Sequence, residues 1–108
     1  MGITKSQHFT EPQNEMASTL KALAHPARIA IVEYLLKTNE CICNDLVNEL
    51  PLAQPTISQH LKELKNAKII KGNIEGNSIC YCLEEKTIEE LNKYFAKISQ
   101  TISSKKCC

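Results

Sequence analysis

The sequence has no apolar run approaching the roughly 18 residues that span a bilayer, so no membrane partner is expected. Residues 1–16 lack the apolar stretch of a secretory leader, which points to a cytoplasmic protein. Charge of one sign is also missing: 13 basic against 12 acidic residues leave a formal net charge of +1. A nucleic-acid partner must therefore be argued from local clustering. There is no Ser/His/Asp set, no Gly-rich phosphate loop and no pair of carboxylates arranged for acid–base work, so no enzyme is expected. Repeats, low-complexity tracts and interdomain linkers are absent as well. What remains is one domain in 108 residues, 43% hydrophobic and 23% charged, the composition of an ordinary globular protein. At this size much surface stays exposed, and covering a dimer face would add stability.

Cysteine, by contrast, is plentiful. Six occur in three close pairs, Cys41/Cys43, Cys80/Cys82 and Cys107/Cys108. In a reducing compartment such cysteines read as metal ligands or redox sensors before structural disulfides.

Residues 1–14 are polar and read as a flexible arm, followed by a domain over 15–104 and a Cys-ending tail over 105–108. Met16, Leu20 and Leu23 recur at helical spacing and predict a helix over Glu15–Leu23. Pro26 suits a first helical position, and PARIAIVEYLLK is apolar on most sides, as a central core helix would be. Asn44 is a candidate N-cap for a short helix ending at Leu50, before Pro51. A tight turn then leads into QPTISQHLKELKNAK, and the close spacing of these two helices is that of a helix-turn-helix. IIKGNIEG and NSICYCL read as two strands joined at Glu75–Ser78, a wing. A long helix from Thr87 closes the chain, with Ile88, Leu91, Phe95, Ile98 and Ile102 at spacings of 3, 4, 3 and 4. That is a heptad seam for a second copy of the chain, with Met16 and Leu20 of the first helix adding to the dimer face. The expected fold is mainly α with a small β-hairpin, in the order ααααββα: a dimeric winged helix-turn-helix.

On the second helix of the turn, Ile57, Leu61 and Leu64 share an arc that faces the core. The opposite arc carries Pro55, Gln59, Lys62 and Asn66, flanked by Thr56 and Ser58. These are the side-chain types that reach base edges and phosphates in a major groove. Gln59 can pair with adenine through two hydrogen bonds, and Lys62 and Lys65 would lie along the backbone. Between Lys62 and Lys71 four lysines meet one acid, a basic patch that the net charge conceals. Gln54 at the helix start and Asn77 in the wing turn complete the expected DNA contacts. His60, on the edge of the apolar arc, reads as a hydrogen-bonded boundary residue, and His25 as structural.

The strings LKALAHPARIAIVEYL (20–35), CICNDLVNELPLAQPTISQHLKELKNAKII (41–70) and IEGNSICYCL (74–83) together resemble the arsenic-repressor family, also called ArsR/SmtB. The resemblance spans roughly residues 16–83. It implies a homodimeric winged-helix repressor of double-stranded operator DNA that lets go when a metal or metalloid ion binds. Two positions depart from the family pattern. Ala53 stands where a capping serine is common, and Leu46 occupies the third place of a Cys-x-Cys-x-x-Cys motif.

Cys41 and Cys43 are expected at the start of the helix before the turn, where the helix terminus favours thiolate, the form that binds soft ions. Two thiolates do not complete a trigonal metalloid site, and Cys107 or Cys108, beside Lys105 and Lys106, could supply a third. Cys80 and Cys82 share one face of a strand while Ile79, Tyr81 and Leu83 take the other, expected to be the core face. The two wing thiols are then either a second site or surface residues. Thiolate-only ligation favours As(III) or Sb(III), with Cd(II) or Zn(II) also eligible. Two other readings stay open: the same repressor driven by cysteine oxidation or persulfidation, and a thiol metal-buffering or redox protein that binds no DNA.

Overall fold

The computed structural model describes residues 8–37, 42–43, 50–75 and 78–105. Helix α1 runs over Glu11–Leu23, four residues longer at its start than the apolar spacing predicts. Thr10 Oγ1 accepts the Gln13 N–H at 3.2 Å, and Gln13 Oε1 accepts the Thr10 N–H at 3.0 Å. This reciprocal cap satisfies two of the N–H groups that a helix start leaves unpaired. Residues 11–14 therefore belong to the helix and not to a flexible arm.

Helix α2, Pro26–Lys37, has the predicted start but not the predicted burial. Ile31 and Leu35 are buried, whereas Ile29 and Leu36 are exposed, Leu36 at 67%. One side of the helix is thus open. The chain next forms a strand that the sequence did not suggest: β1, Ile42–Cys43, antiparallel to β3, with Ile42 opposite Tyr81 and Cys43 opposite Cys80. Cys43 is therefore a strand residue, paired across the sheet with Cys80. The helix predicted from Asn44 lies largely outside the described residues.

Helix α3 spans Gln54–Asn66, and Ala53 makes no side-chain cap, as its chemistry requires. Its far end is closed by the backbone alone. Lys68 N–H bonds Lys65 O and Ile69 N–H bonds Leu64 O, each at 3.0 Å. Lys68 adopts φ 61°, the left-handed conformation that glycine usually supplies at this place. The strain is offset by burial of Leu64 and Ile69, both at 0% exposure. The turn delivers the chain directly into β2.

Strand β2 (Ile70–Glu75) pairs antiparallel with β3 (Ser78–Leu83), from Ile70 opposite Leu83 to Glu75 opposite Ser78. The sheet order is β1-β3-β2, so the wing is a three-stranded sheet with β3 at its centre. Tyr81 and Leu83 pack against the core, as expected. Cys80, however, is completely buried and Cys82 half-buried, so the face expected to meet solvent is covered too. A central strand has a neighbour on each edge, and α2 packs against this one.

The core itself joins Ala22, Ile31 and Leu35 to Ile57, Leu61, Leu64, Ile69 and Ile70. It seats α3 on α1 and α2 and ties it to the root of the wing. Helix α4, Glu85–Lys105, starts two residues before Thr87 and runs into the predicted tail. Only Leu91 of its 21 residues is buried. The radius of gyration, 16.5 Å, exceeds the roughly 13 Å of a compact chain of this length. A long helix with little of its own chain against it accounts for the excess. No described helix is long and apolar enough to cross a membrane.

Candidate nucleic-acid interface

Helix α3 has two chemically distinct sides. Ile57, His60, Leu61 and Leu64 are buried. Gln54, Pro55, Thr56, Ser58, Gln59, Lys62, Lys65 and Asn66 are all exposed. Lys68 and Lys71 extend the exposed basic row from the end of α3 into β2. Gln59 is not idle: its Nε2 donates to Glu63 Oε2 at 3.0 Å, one helical turn away. Reading a base would require exchanging that bond for two on the base edge. Asn77 lies outside the described residues.

The buried side of α3 is locked by a polar contact that sequence reasoning missed. Arg28 Nε donates to His60 Nδ1 at 3.0 Å, and Arg28 Nη1 donates to Ala22 O at 3.1 Å. One guanidinium thus joins the end of α1, the first turn of α2 and the middle of α3. The partners are 32 residues apart, and no local pattern announces such a pair. His25 Nδ1 accepts the Ala27 N–H at 3.0 Å, so this histidine caps α2, and its ring lies 4.5 Å from that of His60. Both histidines therefore have the structural roles expected of them.

Because Nδ1 of His60 accepts a hydrogen bond, the imidazole is held neutral. Burial lowers its pKa below the ordinary 6.5, and the neighbouring His25 and Arg28 charges push the same way. The unfolded chain binds a proton at 6.5 while the folded one resists it, so the neutral contact contributes fully above that pH. Stability should fall as the pH drops below 6.5 through the folded-state value. Thermal melts across that range should show the decline, and His60→Gln should flatten it. An unchanged slope in the variant would assign the acid sensitivity to other groups.

The predicted sulfur site is only partly within view. Cys41, Cys107 and Cys108 lie outside the described residues, and Cys43 stands in β1. Among the described residues no group of three or more His, Cys, Asp or Glu is gathered as a metal site. Cys80 and Cys82 are each disulfide-bonded. The predicted dimer residues divide into two sets. Ile88, Phe95, Ile98 and Ile102 form an exposed apolar row on α4, joined by Tyr94. Leu91, from the same seam, is turned onto its own chain, and Met16 and Leu20 are half-buried.

Residues 25–71 match the family model described as bacterial regulatory protein, arsR family. Over 66 residues the chain is 44% identical to the HTH-type transcriptional repressor SmtB of Mycobacterium tuberculosis, covering 61% of this chain. It spans about half of that relative's length, 48%. It is 30% identical over 79 residues to the arsenical resistance operon repressor of Staphylococcus xylosus, covering 73% of this chain and 75% of that one. The crystal structure of an ArsR family transcriptional regulator superposes with a TM-score of 0.75 over 89% of this chain and 97% of the other. At 18% identity that likeness concerns the fold, the winged helix. The chain belongs to the arsR family of bacterial regulatory proteins and has the winged-helix fold.

Proposed function

We propose that the chain is a sequence-specific repressor that binds double-stranded operator DNA as a homodimer in the cytoplasm and is released by a thiophilic ion. The observation that carries this reading is α3: a helix whose back is fixed in the core while its front offers amides, hydroxyls and lysines beside Pro55 and Glu63. In this reading Gln54, Pro55, Thr56 and Ser58 bring the helix start against the groove and Gln59 reads a base. Lys62 and Lys65 hold phosphates, while Asn77 reaches DNA from the wing tip. The exposed row on α4 pairs with the same row of a second copy, setting two recognition helices about one DNA turn, roughly 34 Å, apart on an imperfect palindrome.

Cys41 and Cys43, with Cys107 or Cys108, would hold the inducer. Their chemistry fits a soft ion, since thiolates prefer As(III), Sb(III), Cd(II) or Zn(II) to hard cations. The arsenical resistance repressor among the relatives supports As(III) or Sb(III) as the first choice.

The test of the DNA face separates base reading from charge. Gln59→Ala should weaken binding to the specific site by about 1–3 kcal/mol and barely affect random DNA. Lys62→Ala should weaken both and reduce the salt slope by about one unit. Fluorescence anisotropy at several salt concentrations measures all of this. Equal losses on specific and random DNA for Gln59→Ala would remove it as a base reader.

A second reading, control by cysteine oxidation, is favoured by one observation, the disulfide-bonded state of Cys80 and Cys82.

A further inference from the structure

The sheet brings together cysteines that the sequence keeps apart. Cys43 in β1 and Cys80 in β3 are directly paired in the antiparallel register. Opposed residues in such a ladder have Cα atoms about 4.5–5.5 Å apart, within the span that a disulfide bridges. Cys80 is disulfide-bonded and completely buried.

We propose that Cys43 and Cys80 form a reversible dithiol site that, when oxidised, fastens the strand leading into the helix-turn-helix to the central strand of the wing. The loop so closed contains α3, β2 and the wing tip, the whole of the proposed DNA-reading unit. This deepens the oxidation reading and assumes, with it, a reducing cytoplasm. Disulfides there are as a rule transient or redox-sensing. β1 supplies the access that a buried sulfur needs. It is an edge strand of two residues, held by very few ladder bonds, and it can peel from β3 without disturbing the β2–β3 pairing.

The oxidant class is a peroxide. One thiolate attacks hydrogen peroxide, takes one oxygen to become a sulfenic acid and releases water after proton uptake. The other thiolate attacks that sulfur, the S–S bond forms and the hydroxyl leaves as a second water. Two thiols lose two electrons and the peroxide gains them. A small dithiol reverses the reaction by exchange through a mixed disulfide.

The experiment uses the full chain, treated with stoichiometric hydrogen peroxide or with dithiothreitol, then alkylated, digested and mapped by mass spectrometry. A linked peptide pair carrying Cys43 and Cys80 is expected after peroxide and should vanish after dithiothreitol without denaturant. Oxidation should raise Tm by at least about 5 °C, because closing a long loop restricts the unfolded chain. At least half of that rise should be lost in Cys43→Ser and, should a buried hydroxyl be damaging at position 80, in Cys80→Ala. It should persist in a Cys107→Ser/Cys108→Ser variant. Finding Cys80 linked to Cys82 or to the tail overturns the assignment, as does a link that resists dithiothreitol until the protein unfolds. None of these readouts involves DNA. Operator binding by the reduced chain, measured separately, reports on the repressor reading alone.

Discussion

Replacing Phe95 and Ile102 by glutamate is expected to convert the protein to monomers and to lower operator affinity by about 100-fold or more. These residues are 50% and 64% exposed on a helix that its own chain scarcely touches, so the charges cost the monomer little. In a dimer the same charges would face each other across an apolar seam, where an unpaired charge is expensive to bury. Losing the partner turns the second half-site contact from an intramolecular event into a new bimolecular one, and linkage of this kind is typically worth 10²–10⁴ in affinity. Leu91 is the wrong target despite its place in the heptad. It is buried in its own chain, and a charge there would confuse unfolding with dissociation. Sedimentation equilibrium and anisotropy on one operator fragment measure both effects. A double variant that stays dimeric would place the interface elsewhere, with the open side of α2 around Ile29 and Leu36 as the next candidate.

Leu64→Ala should be the most damaging single change to the fold, costing about 3 kcal/mol of a total that for such domains is only about 5–15. Its side chain has no exposure, and it anchors α3 at the point where the backbone turns through Lys68 to bury Ile69. Truncation leaves a cavity and removes the burial that offsets the left-handed residue. Lys62→Ala, two residues earlier on the exposed side, should stay within about 0.5 kcal/mol. Urea unfolding of the two variants measures the contrast. A loss below about 1 kcal/mol for Leu64→Ala would mean that α3 is not seated as described.

Where the sequence was readable, a local period or a turn signal carried the information. The start of α2 at Pro26, the two sides of α3 and the hairpin around Glu75–Ser78 each follow from side chains close in sequence. The start of α1 was readable in the same way and was missed: Thr10 and Gln13 have the spacing of a capping box, but the polar context hid it. β1 offered no comparable signal, since two residues cannot display an alternating pattern. Its pairing with β3 is a long-range event, and it sets Cys43 opposite Cys80. The same pairing made β3 central, which is why alternation correctly put Tyr81 and Leu83 against the core yet wrongly left Cys80 in solvent. The Arg28–His60 contact is beyond any local rule, because it depends on how α2 and α3 cross.

One titration decides whether α3 reads DNA in a regulator that a soft ion releases. The reduced protein is added to duplex DNA from upstream of its own reading frame and, in parallel, to a scrambled duplex of equal length at one salt concentration, and As(III) is then added to the complexes. Binding to the upstream DNA should be at least about 10³-fold tighter than to the scrambled duplex, with release as As(III) rises. Equal affinity for the two duplexes would contradict sequence-specific repression, and a complex unmoved by As(III), Sb(III), Cd(II) and Zn(II) alike would contradict ion-driven release.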